Sequence, residues 1–106
     1  MGRVLYIDTS SSNKISIKLE VKGQIKEVYS ESKILRSEAA LPLIEKLLEK
    51  NNLEINQIDE IKVVIGPGSF TGLRVGASIA NALGYLLNIP VNGKKIGESV
   101  QPVYNK

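Results

Sequence analysis

The sequence predicts an α/β domain: a mixed sheet covered by helices. Two short apolar runs, Val4-Leu5-Tyr6-Ile7 and Ile61 to Ile65, each end in a glycine- or hydroxyl-rich turn. Runs of that kind read as strands buried on both faces. Two longer stretches, 37–51 and 72–87, read as helices, and the whole order is β-β-β-α-β-α-β.

The elements follow one by one. Val4–Ile7 is the first strand, ending at Asp8, with a polar turn over Thr9-Ser10-Ser11-Ser12-Asn13. Ile15, Ile17, Leu19 and Val21 then alternate with Ser16, Lys18 and Glu20, the period of a second strand. Lys22-Gly23-Gln24 makes a hairpin turn, and 25–30 is a third, less patterned strand near an edge. Ser37 is placed to cap the first helix, with Glu38 at the positive end of its dipole. Leu41, Ile44, Leu47 and Leu48 form its apolar stripe. Pro42, about a turn in, predicts a late start or a slight kink. Residues 54–60 are a polar connector anchored by Ile55 and Ile58. Gly66-Pro67-Gly68-Ser69-Phe70-Thr71-Gly72 breaks the strand that starts at Ile61, and the second helix runs from about Gly72 to Leu87. Asn88-Ile89-Pro90 stops it, and 90–92 is a last short strand. Residues 1–92 are thus expected to be the domain and 93–106 a basic, polar tail.

Composition excludes several chemistries. The chain has 106 residues, 42% hydrophobic, with no Cys, Trp or His. That removes disulfides, thiolate nucleophiles, thiolate or imidazole metal sites and a Ser-His-Asp triad. No run approaches the roughly 18 apolar residues of a membrane span, and no signal peptide is visible, so a cytoplasmic protein is expected. The net charge is only +3. It is also unevenly spread: 37–60 carry two basic and six acidic groups, a poor first contact for a polyanion.

The most informative segment is Gly66 to Gly76, GPGSFTGLRVG. A glycine-rich strand-to-helix turn can present N–H groups to an anion. It lacks the Lys-Ser/Thr of a P-loop and the spacing of the dinucleotide fingerprint. The other reading is a structural turn whose glycines let the helix pack tightly. Asp8, followed by four hydroxyl residues, also has two readings. It could organise phosphate or metal, or receive hydrogen bonds from its own turn. No partner carboxylate is evident for a metal, and none is expected.

GPGSFTGLRVG resembles the signature of the TsaB family, also called YeaZ. Leu5-Tyr6-Ile7-Asp8-Thr9-Ser10 resembles that family's opening strand and Asp-Thr turn, and Leu41-Pro42 falls within the first helix at the expected distance. The resemblance covers roughly residues 3–92. It implies a single actin-like, RNase H-like lobe of the sugar kinase–heat-shock–actin superfamily. It further implies a non-catalytic scaffold in making threonylcarbamoyladenosine on tRNA, with no cofactor of its own. The implied partners are the catalytic paralogue TsaD, with the ATPase TsaE in the complex, and a second copy when the chain is isolated; tRNA is met only through the complex. Two departures stand out. Most members are about twice as long, so a single lobe without the second is expected here, and many carry His where this chain has Arg36. Gln101-Pro102-Val103-Tyr104-Asn105 resembles the Pro-x-Tyr-Leu-Arg ending of full-length members, as a natural minimal form would; an unrelated tail is the other reading.

The second helix spaces Gly72, Gly76, Ala80 and Gly84 four apart, along one slanting ridge. Glycines there cost helix propensity, so a close neighbour is expected: either the chain's own sheet or another protein's helix. The resemblance favours the latter, with partner-binding residues Leu41, Ile44, Leu48, Gly72, Arg74, Gly76, Ala80 and Gly84. Phosphate, if bound, would meet Asp8, Thr9, Ser10, Gly68, Ser69 and Thr71. The contrasting reading is a half-size phosphotransferase or phosphohydrolase acting on a nucleotide through Asp8 and the 66–72 turn. A peptidase has no chemistry behind it.

Overall fold

Alternation sets the sheet. In the computed structural model, which describes residues 2–11, 13–31 and 39–103, β1 (Arg3–Ser11) buries Leu5, Ile7 and Thr9 and leaves the residues between them half-covered. β2 (Lys14–Val21) pairs antiparallel with it, and β3 (Gln24–Glu31) antiparallel with β2. The β2–β3 hairpin turns on Lys22-Gly23, both at positive φ (54° and 80°), as a two-residue loop matched to strand twist requires. β4 (Glu60–Val63) lies parallel to β1, giving the order β3-β2-β1-β4. The expected last strand is reduced to a single parallel bridge between Ile61 and Val91.

Two helices cover one face. α1 (Ala40–Lys50) packs on β2 and β3; α2 (Phe70–Leu87) packs on β1 and β4. Ile44, Leu47 and Leu48 of α1 join Leu5, Ile17, Ile61 and Ala80 in one core. Pro42 falls in the first turn of α1, where backbone N–H groups have no intrahelical partner, so the late start is observed. The expected caps Ser37 and Glu38 lie outside the described residues, as do Arg36, Tyr104 and Asn105. α2 starts two residues earlier than expected because Ser69 caps it, its hydroxyl accepting from Gly72 N at 3.2 Å. Asn88, in the left-handed region, ends it.

One expectation is corrected. β1 and β4 are not buried on both faces. Lys62 is exposed and Tyr6 only half-buried, because both helices lie on the same side. The open side is polar. Tyr6 Oη donates to Glu20 at 2.7 Å, Ser16 Oγ donates to Glu27 at 2.6 Å, and Lys62 Nζ lies 5.9 Å from the Tyr6 ring centroid.

The outer edge of β4 is closed along its length. Ile61 N donates to Pro90 O and Ile61 O accepts from Asn92 N. The Asn92 carboxamide then exchanges two bonds with Val63, at 2.8 and 3.0 Å, and Ile65 O accepts from Val103 N at 2.7 Å. An edge strand treated this way is covered by the chain's own return. Residues 93–103, read from sequence as a tail, therefore return to the body, and Val100 is a core residue at 1% exposure.

Candidate functional site

β1 and β4 are parallel and finish at the same end of the sheet, the position where α/β sheets place ligands. There the two sequence motifs meet. Ser69 N donates to Ser10 O at 2.7 Å. A Cβ on Gly68 would stand 2.6 Å from Ser10 Cβ, so no side chain fits where the turn crosses β1. Thr9 is fully buried, and its hydroxyl donates to Gly72 O at 2.6 Å. Asp8 Oδ1 accepts from Ser10 N at 3.0 Å and Ser10 Oγ at 2.6 Å.

Of the residues expected to face phosphate, Asp8, Thr9, Ser10, Gly68 and Ser69 are thus gathered, with Thr71 exposed on the first turn of α2. Asp8, Ser10 and Ser69 bond one another, and Thr9 bonds Gly72. Asp8 receives the hydrogen bonds of its own strand end, and Thr9 and Ser69 are spent joining β1 to α2. The chemistry of this corner, as built, is that of a clamp. Among the described residues, no group of three or more His, Cys, Asp or Glu side chains is placed to hold a metal.

On the open face, a cavity of about 180 Å³ is lined by Tyr6, Asp8, Ser16, Lys18 and Lys62. The Tyr6 phenol is held above its ordinary range, first by its hydrogen bond to Glu20, then by burial and by the charges of Glu20 and Glu60.

The residues expected to meet a partner divide sharply. Leu41 (47% exposed) and Arg74 reach the surface. Ile44, Leu48, Gly72, Gly76, Ala80 and Gly84 are buried within the chain itself. A Cβ on Gly76 would collide with Thr9 Oγ1, and one on Gly84 would stand 2.5 Å from Val91 Cγ2. The small-residue ridge faces the protein's own sheet and the strand-like return at Val91, which corrects the expectation that it is an outward seam. Close packing on the sheet is what the glycines serve.

The outer row of α2 carries different residues. Phe70 is 57% exposed, with the Arg74 guanidinium 5.5 Å from its ring centroid, and Tyr85 and Leu86 are 78% and 74% exposed. Sequence reasoning missed Tyr85 and Leu86, because in an apolar helical window the exposed residues look like the core ones. Phe70 did carry a signal, as the one large apolar residue in a glycine-rich polar turn.

This lobe, two helices on one face of a four-stranded mixed sheet with a glycine turn clamped to the end of β1, is of the actin-like class. It superposes on YeaZ from Pseudomonas aeruginosa with a TM-score of 0.81 and 28% identity, over 90% of this chain and 44% of that one. The sequence profile of the family described as TsaD, tRNA N6-adenosine threonylcarbamoyltransferase, matches residues 30–93. The TsaB protein of Haemophilus influenzae is 35% identical over 83% of this chain. A tRNA N6-adenosine threonylcarbamoyltransferase of Nitrosomonas eutropha is 35% identical over 86% of it. The chain belongs to this family, in its TsaB/YeaZ branch. It spans 37% of the Haemophilus relative and 24% of the Nitrosomonas one, less than half of each.

Proposed function

We propose that this chain is a non-catalytic subunit in the threonylcarbamoylation of tRNA adenosine, acting in the cytoplasm by binding the catalytic paralogue TsaD. Family membership supports the pathway. The observation that carries the binding reading is the exposed face of α2, where Phe70 stands beside Arg74 at the start of the helix and Tyr85 and Leu86 are more than half exposed at its end. Aromatic and arginine side chains of this kind dominate binding energy at interfaces, and exposed apolar side chains at both ends of one helix face are what a docking face leaves open in the free protein. α1 offers a second exposed surface. Beside it a groove of about 600 Å³ is lined by Leu41, Leu48, Leu53 and Ile55 and rimmed by three carboxylates, Glu45, Glu49 and Glu54, against one cation, Lys46. That rim favours a partner surface with basic groups. The same face, unpartnered, would pair two copies of the chain in isolation. TsaE and tRNA would be met through the assembled complex.

The experiment is a titration of the chain with full-length TsaD, read by calorimetry, beside an activity assay of each alone. A complex is expected, with transfer activity only in the mixture. Phe70→Asp together with Arg74→Glu should abolish binding and leave the melting temperature unchanged. No complex with TsaD overturns the reading. So does ATP turnover by the isolated chain that disappears in Asp8→Ala, which would instead favour the phosphotransferase.

A further inference from the structure

Beyond Asn92 the chain leaves the body of the domain and comes back. Residues 93–99 are all exposed. Gly93 and Gly97 take φ of 75° and 95°, with no atom within 4 Å of where a Cβ would stand. The hydrogen bonds seen inside this stretch are local turns, Lys94 N to Val91 O and Glu98 N to Lys95 O. Val100 then enters the core. Asn81 on α2 holds its backbone from both sides, accepting from Val100 N at 2.8 Å and donating to Val100 O at 2.9 Å. Three residues on, Val103 N donates to Ile65 O. A cavity of about 300 Å³ beside the segment is lined by Arg74, Ser78, Asn81, Gln101 and Pro102.

The hydrogen bonds that hold 100–103 address backbone groups, and one apolar side chain supplies the burial. That is the recognition mode of a groove that accepts an added strand: main-chain bonds give the affinity and a pocket gives the selectivity. The Asn81 carboxamide serves as a one-residue strand for whatever extended segment lies beside it. Nothing in this geometry requires the segment to belong to the same chain, and a second copy's segment would restore the Val100 burial and the three backbone bonds that are lost when it leaves.

We propose that the cleft between Asn81 and Ile65 is a docking site for an extended peptide segment, and that residues 99–103 of a second copy can occupy it by exchange. The exchanged pair keeps the contacts that hold residues 100–103 and gives up only the connector's local turns, so concentration decides between them. A short flexible connector gives its own segment an effective concentration of about 1 mM. The chain's own segment therefore wins in dilute solution, and a second copy's competes near that concentration. This proposal does not rest on the reading of the TsaD surface.

The chain has no cysteine, so single-thiol copies report the exchange. Ser78→Cys in one copy and Gln101→Cys in another place one thiol on the cleft and one on the segment. An equal mixture at about 1 mM, trapped with a short bis-maleimide, should give a mixed dimer several-fold above the same mixture made with Lys94→Cys in place of Gln101→Cys. Dilution about a hundredfold below that effective concentration should remove the excess. Raised above about 1 mM, where it competes with the chain's own segment, a labelled peptide of residues 97–103 should bind the full chain saturably, and the same peptide carrying Val100→Glu should not. A mixed dimer no more abundant than the Lys94→Cys control overturns the exchange. A peptide that fails to saturate, or that binds equally with Val100→Glu, overturns the docking site.

Discussion

The Thr9 hydroxyl and the Gly72 carbonyl are joined by a buried hydrogen bond of 2.6 Å, from the middle strand pair to the first turn of α2. One turn further along the helix, Gly76 faces the same hydroxyl with no room for a Cβ. The pair sets how closely α2 lies on the sheet, and its substitutions should be coupled. Thr9→Val keeps the volume and removes the bond, and should cost about 1 kcal/mol in urea unfolding. Gly76→Ala gains about 1 kcal/mol of helix propensity, but overpacking of about 1–3 kcal/mol should outweigh it. In a Thr9→Ala background the cost of Gly76→Ala should shrink. Strict additivity of the two would show that they do not share one space.

Gly76→Leu tests the ridge assignment. The side chain would enter the space of Thr9 and Val63, so the variant should melt early. A variant that melts like the parent and loses TsaD binding would return the ridge to the interface.

Val100 and Asn81 act together as the anchor of the returning segment. Asn81→Ala removes two hydrogen bonds, at a cost of about 1–3 kcal/mol. Val100→Ala should lose about as much by leaving a core cavity. Thermal melts of both, compared with an exposed-site control such as Lys94→Ala, measure this. Equal melting of all three would mean that the segment does not contribute to the core.

Tyr6 gives the fold an alkaline limit. Its phenol is raised above the ordinary value of 10.0 because the neutral form donates to Glu20. A group whose pKa is raised in the folded state stabilises the fold fully below its unfolded pKa, and that contribution is lost as pH climbs through the folded one. Stability should therefore fall above about pH 10. Tyr6→Phe should start lower at pH 8 and show a shallower decline. An unchanged alkaline limb in Tyr6→Phe would assign the loss to other groups.

Sequence alone determined the three strands, the helix, the strand and the helix up to Leu87 and their order, because periodicity and turn chemistry are local. Alternation from Ile15 to Val21, the stripe from Leu41 to Leu48 and the break at Gly66 needed no distant information. It also placed the two motifs, Asp8-Thr9-Ser10 and Gly68 to Thr71, that meet at the end of the sheet. What only the tertiary structure decided was direction. Four small residues on α2 require a close neighbour, but the sequence does not say on which side it lies; Thr9 and Val91 settle that it is within the chain. Val4 to Ile7 reads as a doubly buried strand, yet Tyr6 is half-open because both helices fall on one side of the sheet. Val100 looked like part of a polar tail, since one apolar residue has no period to announce it. It is buried because Asn81, nineteen residues earlier, offers its backbone the two bonds that burial demands.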